Sequence, residues 1–366
     1  KSADAVNAHG NAYYVLMDYS AAEKCYRKVL AEIPNHPDAL SNLGNTLARQ
    51  NRLEEAEECI KRCLSMNPEK TDALTNLGGV LHAQGRLGEA LQMFEEALRF
   101  DPNYADGHWN RGLARLLGGD LLGGFEEYEW RWQLPEFTVR HRNIPLWEGQ
   151  SLVEKSILVC SEQGYGDTIQ FLRYVPMLTD QGAKVFLETH KSLVRLLEGM
   201  DGVSEVFVCG TKLITTDFQL PVMSLPNRFA TTLDQIPASV PYLPFQPTSI
   251  VDVGSEARTL IGIAWAGNPK HKNSWAANRS LEATYLKPLF DLPDISWVSL
   301  QMDNRHNEAT AIPKLRKLQD VRNQISDFAD TAGVMANLDL VITVDTAVAH
   351  LAGALGRPVW VLLSFA

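Results

Sequence analysis

The sequence is short of basic charge, of paired cysteines and of long apolar runs, and each shortage removes a class of function. Lys and Arg total 34 against 44 Asp and Glu, a formal net charge of -10. Phosphate backbones are held by a basic face, so the overall field excludes nucleic acid as a partner. No apolar run approaches the roughly 20 residues that a membrane helix needs, which leaves no candidate span. The five cysteines, Cys25, Cys59, Cys63, Cys160 and Cys209, form no CxxC pair. An odd number so spaced reads as reduced thiols in a cytoplasmic setting, neither a disulfide scaffold nor a zinc site. Lys1-Ser2-Ala3-Asp4 holds neither a signal-peptide core nor an initiator Met, so the start reads as trimmed. Apolar residues are plentiful at 45% of 366, which excludes disorder and suits two or more domains.

An internal period is plain in the first third. Gly10, Gly44, Gly78 and Gly112 recur every 34 residues. Ala22, Ala56, Ala90 and Gly124 keep the same interval, as do Tyr26, Ile60, Phe94 and Tyr128. Pro34, Pro68 and Pro102 follow, with Pro135 one position early in the fourth unit. Small residues let two helices approach, the large position fills the gap, and proline opens the turn into the next unit. This pattern resembles the tetratricopeptide repeat over about residues 3–136, with the fourth unit departing at Gly124 and Arg131. Asn42, Asn76 and Asn110 form a second ladder two residues before each glycine. Each amide offers both a donor and an acceptor, which suits the backbone of an extended peptide. The ladder is similar to the one that holds protein substrates in O-linked N-acetylglucosamine transferases. Helix initiation or simple solvation remains the alternative for these three residues.

Beyond a linker at 137–150 the period changes. Short β-rich runs alternate with amphipathic stretches: Ser156–Cys160, Ala183–Leu187, Glu205–Cys209, Leu260–Trp265, Ser296–Leu300, Leu340–Val344 and Val359–Leu363. Helices are expected through about Thr179, over Ser192–Met200, near Leu281–Phe290, around Asp327–Asn337 and over Thr346–Leu355. Such alternation implies two Rossmann-like lobes with parallel sheets, 151–248 and 249–366, following an all-α array at 1–136. The four prolines of Pro237–Pro247 are expected to cross between the lobes. Ligands bind outside the carboxyl ends of such strands.

Three loops qualify as that site. Gln163-Gly164-Tyr165-Gly166-Asp167 follows a strand, and its glycines let backbone amides approach a ligand; a tight turn with Asp167 as helix cap is the alternative. Trp265 to Asn273 contains Asn268, Lys270, His271 and Lys272 and runs on to Arg279, a basic stretch that suits a pyrophosphate or is merely solvated. Asp345-Thr346 joins a buried strand to a helix whose N-terminal amides favour phosphate, with His350 one turn down on the same face as Thr346.

Together these loops resemble the GT-B glycosyltransferases of the heptosyltransferase-like class, notably bacterial proteins that fuse tetratricopeptide repeats to such a module. The resemblance rests on Glu162–Phe171, Ala264–Pro269, Asp327–Thr331 and Asp339–His350. It implies Asp167 as the catalytic residue, and Gly164, Gly166, Asn268, Lys270, Lys272, Asp345, Thr346 and His350 as donor and phosphate contacts. It implies a nucleotide sugar as substrate rather than a cofactor, and a protein or glycan acceptor recruited by the repeats. The absence of a D-x-D triplet agrees with a metal-independent mechanism. The family continues beyond the last strand, so the second lobe reads as incomplete at its C-terminus. A repeat scaffold with a degenerate transferase module is the alternative.

Overall fold

The computed structural model describes residues 2–247, 259–267 and 279–363. It divides into two compact units, one of residues up to Val139 with Ala230–Gln235, the other from Arg140 onward without that insert.

The first unit is helical. Helix α1 (Ala3–Val15) pairs with α2 (Tyr19–Glu32), α3 (Pro37–Arg49) with α4 (Leu53–Met66), α5 (Thr71–Ala83) with α6 (Leu87–Phe100), and α7 (Ala105–Leu117) with α8 (Leu121–Tyr128). The periodic residues account for the pairing. A Cβ at Gly10 would lie 2.4 Å from the Tyr26 ring; at Gly44 it would meet Ile60, and at Gly78 the Phe94 ring, at the same 2.4 Å. Tyr26, Ile60 and Phe94 are buried, as are Ala22, Ala56 and Ala90. Each large side chain contributes roughly 1.5–3 kcal/mol by leaving water, and only a glycine opposite makes the room. Asp18 caps α2 through the Ala21 amide, and Asp120 caps α8 through Gly123.

Charged side chains repeat with the same period. Arg52 joins Glu23 and Glu55; one unit later Arg86 joins Glu57 and Glu89. Burial pushes Glu23 up, but Arg27, Arg52 and Gln50 outweigh it and hold the carboxyl at about 2. Lys61, with Gln84 and Arg86, holds Glu57 at about 2 against the opposing effect of burial. The fourth repeat departs where the sequence departs. Arg131 is fully buried, its guanidinium 4.8 Å from the Tyr128 ring centre, 4.1 Å from that of Trp132 and 2.7 Å from Glu129. An arginine at a small-residue position is retained here by aromatic faces and one carboxylate.

The second unit is α/β. Strands β1 (Ser156–Cys160), β2 (Lys184–Thr189), β3 (Val203–Val208) and β4 (Phe218–Pro221) form a parallel sheet in the order β3-β2-β1-β4. Strands β5 (Thr259–Ala264), β6 (Ile295–Ser299), β7 (Gln319–Asp320), β8 (Leu340–Val344) and β9 (Val359–Leu362) form another, in the order β7-β6-β5-β8-β9. The short β4 and β7 carry too little pattern to be read from the sequence. The helices are α9 (Tyr165–Phe171), α10 (Val175–Asp180), α11 (Lys191–Leu197), α12 (Leu225–Arg228), α13 (Arg305–Thr310), α14 (Phe328–Met335) and α15 (Ala347–Ala354). The helix expected through Thr179 is broken by a tight turn at Leu172–Tyr174, just ahead of Pro176. The helix expected near Leu281–Phe290 is instead two short 3-10 turns, Ala283–Leu286 and Leu289–Asp291, with Pro288 between them.

Two connections tie this unit together. Residues 140–147 lie along β4, where Gln219 donates to the carbonyls of His141 and Ile144. Buried Glu188 fastens the same strap, accepting from His141 at 3.0 Å and from the Gly210 amide, with Arg140 at 3.4 Å. His141, Cys160 and Glu188 bring their polar atoms within 4.8 Å of one another, and Arg140 already supplies the positive charge there. The proline-rich segment 237–247 touches both lobes: the Tyr242 hydroxyl donates to Ile169 and its amide to Ala354.

Candidate functional site

The carboxyl ends of the two sheets border one cleft of about 1500 Å³. On the first lobe, β1 ends in the turn that opens α9. Gly164 caps that helix, and Asp167, three residues on, accepts the Gly164 amide through Oδ2 at 3.0 Å. The sequence left cap and base as alternatives for Asp167; the cap is present, and Asp167 also lines the cleft.

On the second lobe, β8 passes straight into α15. Thr346 is the cap residue, and its hydroxyl lies 3.3 Å from that of Thr343 without capping a helix amide. Thr346, Ala347 and Val348 line the cleft, so the positive end of the α15 dipole borders it. His350 sits one turn down, 4.0 Å from Asp345. Burial pushes the imidazole below its ordinary pKa, opposed by Asp345 and Asp167. Asp167 and His350, from opposite lobes, line the same cleft. Gly166 explains how: a Cβ there would stand 2.8 Å from His350 Cδ2, so only glycine lets the two helix starts meet this closely.

The loop after β5 is built differently. Gln301, buried at the end of β6, accepts from the Trp265 and Ala266 amides and donates to the Ala266 carbonyl and Asp303. One side chain thus takes the place of a missing ladder partner. Arg305 bonds to the Gly267 carbonyl, to Ser280 at 3.2 Å and to Asp303 at 3.0 Å. Arg279 lies against Gly267, its Nε 2.7 Å from where a Cβ would be, and that nitrogen is buried without a partner. Asn268, Lys270 and Lys272, with His271, lie outside the described residues. Of the basic loop, Arg279 is the cation that can be placed, and it lines the cleft.

The lobes are also joined at the rim. Arg195 of α11 donates to both oxygens of Asp327, at 2.8 and 2.7 Å, and pairs with Asp330. Asp327 caps α14 through Ala329 and Asp330, and the Arg195 guanidinium holds its carboxyl below the usual range despite burial. Phe328 and Tyr165, one from each lobe, stand 5.1 Å apart by ring centres, and His190 packs edge-on against Tyr165 at 5.0 Å. His190, Gln301 and Arg305 stand in no recognisable spacing, and Tyr165 and Phe328 lie in two of the quoted motifs without a role assigned to them; only the fold brings all five to one cleft.

In the first unit, Asn42 donates to Asn11 at 3.0 Å and to Asn7 at 3.4 Å, Asn76 donates to Ser41 at 3.1 Å, and Asn110 donates to the Asp106 carbonyl. Two of the three ladder amides thus bond to the preceding repeat, and the third stays within its own helix.

Comparison with known proteins divides the chain in the same way. Residues 7–62 and 42–105 match the tetratricopeptide repeat family. Residues 306–362 match glycosyltransferase family 9 (heptosyltransferase). Protein FlbA of Caulobacter vibrioides is 24% identical over 273 residues, which are 65% of this chain and 45% of FlbA. The chain therefore spans less than half the length of that relative. Among solved structures, TTC0263, a tetratricopeptide protein of Thermus thermophilus, is 24% identical with a TM-score of 0.35 over 37% of this chain and 75% of its own. YrrB, described as a tetratricopeptide protein with an unusual peptide-binding site, is 25% identical with a TM-score of 0.31 over 37% and 70%. The chain carries tetratricopeptide repeats, followed by an α/β region with a segment like glycosyltransferase family 9. That segment holds Asp327, Asp345, Thr346 and His350, while Asp167, His190 and Arg279 lie before it. Among the described residues no helix is long and apolar enough to cross a membrane.

Proposed function

We propose that the second unit is a glycosyltransferase that moves a sugar from a nucleotide-sugar donor to a hydroxyl on an acceptor recruited by the repeats. The observation that carries this reading is that Asp167 and His350, from opposite lobes, line one cleft with Arg279, whose Nε is buried without a partner. The donor diphosphate is held by the Thr346 end of α15 and by Arg279, with Asn268, Lys270 and Lys272 as further contacts. His350 bonds a donor oxygen, oriented by Asp345. Gly164 and Gly166 keep backbone close to the ligand. A hydroxyl is a poor nucleophile until a base takes its proton, and Asp167 is that base. The acceptor oxygen bonds to the sugar carbon as the bond to the diphosphate breaks, and the charge leaving with the diphosphate is met by the Arg279 cation and the helix dipole. This stabilisation needs no metal ion. Asn42, Asn76 and Asn110 receive a peptide segment of the partner.

The test is a thermal-shift screen of nucleotide sugars on the full chain, because a ligand that binds only the folded state raises the melting temperature. Calorimetric donor affinity and single-turnover transfer on Asp167→Ala, Asp345→Ala and His350→Ala then separate the roles. The first should lose transfer and keep donor affinity; the other two should lose donor affinity. No effect of any substitution on binding or transfer would leave the scaffold reading in its place.

A further inference from the structure

Two residues that line the cleft each hold a side-chain nitrogen buried without a partner: Arg279 Nε on the second lobe and His190 Nε2 on the first. They are opposite in kind. The arginine offers a proton and a positive charge. The histidine offers the reverse, because its ring also bonds to the Gln163 backbone in a manner that favours the protonated form, as a carbonyl acceptor does. That bond belongs to Nδ1, since Nε2 has no partner. The proton therefore resides on Nδ1, and the lone pair of the buried Nε2 meets no donor. The turn that presents the carbonyl is itself strained: Gln163 takes φ 57, uncommon for a residue with a side chain.

We propose that His190 Nε2 accepts a hydrogen bond from the molecule that receives the sugar, taking a polar hydrogen next to the reacting hydroxyl. The proposal rests on the transferase reading and adds to it a binding residue outside the segment matched by the family. A buried acceptor without a donor is costly, and water cannot supply one where the atom is screened from solvent. A ligand seated in the cleft can. Tyr165 lies edge-on to the imidazole and is 42% exposed, so it can turn to admit a ligand and then cover it. Burial also pushes His190 below its ordinary pKa, which keeps the lone pair available at neutral pH. The proton of the reacting hydroxyl stays with Asp167. His190 holds the neighbouring hydrogen, either a second hydroxyl of a sugar or the backbone N–H beside a serine or threonine.

The experiment is an imidazole-nitrogen NMR titration of the full chain labelled with ¹⁵N-histidine, with His190→Gln assigning the signal. Methyl β-D-glucoside and N-acetylserine methylamide are added separately, and their arms distinguish the two sources. His190 Nε2 is expected to be unprotonated at neutral pH and to shift with one of the probes. His190→Ala should weaken that probe about tenfold, the worth of one hydrogen bond. His190→Gln, whose amide oxygen is an acceptor, should recover most of it, and UDP, ADP or GDP affinity should not change in either variant. A protonated Nε2, no response to either probe, or a glutamine variant as weak as alanine would overturn the proposal. The probe arms contain no nucleotide, so a failure of nucleotide binding to the unaltered chain counts against the transferase reading alone.

Discussion

The repeat array and the α/β unit bury their cores by different routes. In the array each large side chain packs against a glycine sixteen residues before it, so one short interval repeats the same solution: Gly10 with Tyr26, Gly44 with Ile60, Gly78 with Phe94. In the α/β unit, parallel strands pair across distance, Cys160 with Glu188 and Ile263 with Ile342. Local packing repeated at a fixed interval leaves a trace in the sequence, whereas non-local pairing leaves only apolar runs. The difference also separates the chemistry. The array's polar groups largely satisfy one another, as Arg52 and Arg86 do, while among the cleft residues Arg279 Nε and His190 Nε2 have no partner.

The largest expected effect tests whether catalysis belongs to the α/β unit alone. Asp167→Ala should lower single-turnover transfer roughly 10²-fold or more, with donor affinity by calorimetry unchanged. Replacing Asn42, Asn76 and Asn110 together by alanine should leave both the donor affinity and the melting of the α/β unit as they are. It should weaken acceptor-protein binding by about 1 kcal/mol per lost hydrogen bond. Unchanged acceptor binding would return the ladder to its role between repeats.

The next effect tests the packing rule of the array with adjacent glycines. Gly78→Ala puts a methyl 2.4 Å from the Phe94 ring, whereas Gly79→Ala meets nothing within 4 Å. The first should destabilise by about 1–3 kcal/mol through overpacking. The second should stabilise by up to about 1 kcal/mol through helix propensity. Denaturant unfolding measures both, and equal effects would break the rule.

Acid should act on the α/β unit over a wider window than on the array, because Asp320 and Asp327 are held low there as well. His190, His306 and His350 of the α/β unit are each held below the ordinary 6.5 by burial. Above pH 6.5 both folded and unfolded states are neutral there; as pH falls below it the unfolded chain takes up protons first, so stability declines. In the array, burial lowers His82 too. Glu23 and Glu57, held at about 2, contribute stability that is present above 4.5 and lost as pH falls toward 2. Calorimetric melting between pH 7 and 4 should therefore shift the α/β transition more than the array transition; a larger shift of the array would contradict the assignment.

The smallest effect is at the cleft rim. Arg195→Ala removes the pair with Asp327 and Asp330, and since Arg195 is half exposed the loss should be about 1 kcal/mol or less. A shift of the α/β melting transition several times larger would mean that the rim contact holds the lobes together.

Much of the site was legible because it lies at strand ends. Asp167, Asp345, Thr346 and His350 each sit where a β-rich run hands over to a helix, and the handover is visible in the residues. The alternatives for Asp167 were not resolvable in sequence, since cap and base require the same carboxylate; the capping bond to Gly164 coexists with a place in the cleft. Near Leu281–Phe290 the residues suggest one helix, but Pro288 lacks the amide that would continue it and the segment divides into two 3-10 turns.

The sequence by itself determined the helical array, its period, the contacts of its glycines with large side chains and the alternation of strand and helix that follows. These are set by neighbours along the chain, within one or two turns or one hairpin of helices. Only the tertiary structure decided that Gly166 must be bare to let His350 approach, that Gln301 completes the end of β5, and that His190 and Arg279 line one cleft, each with a buried nitrogen lacking a partner. Those facts depend on which strand ends lie side by side. The order of strands in a parallel sheet is chosen by the packing of the whole unit, and no spacing within a single segment records it.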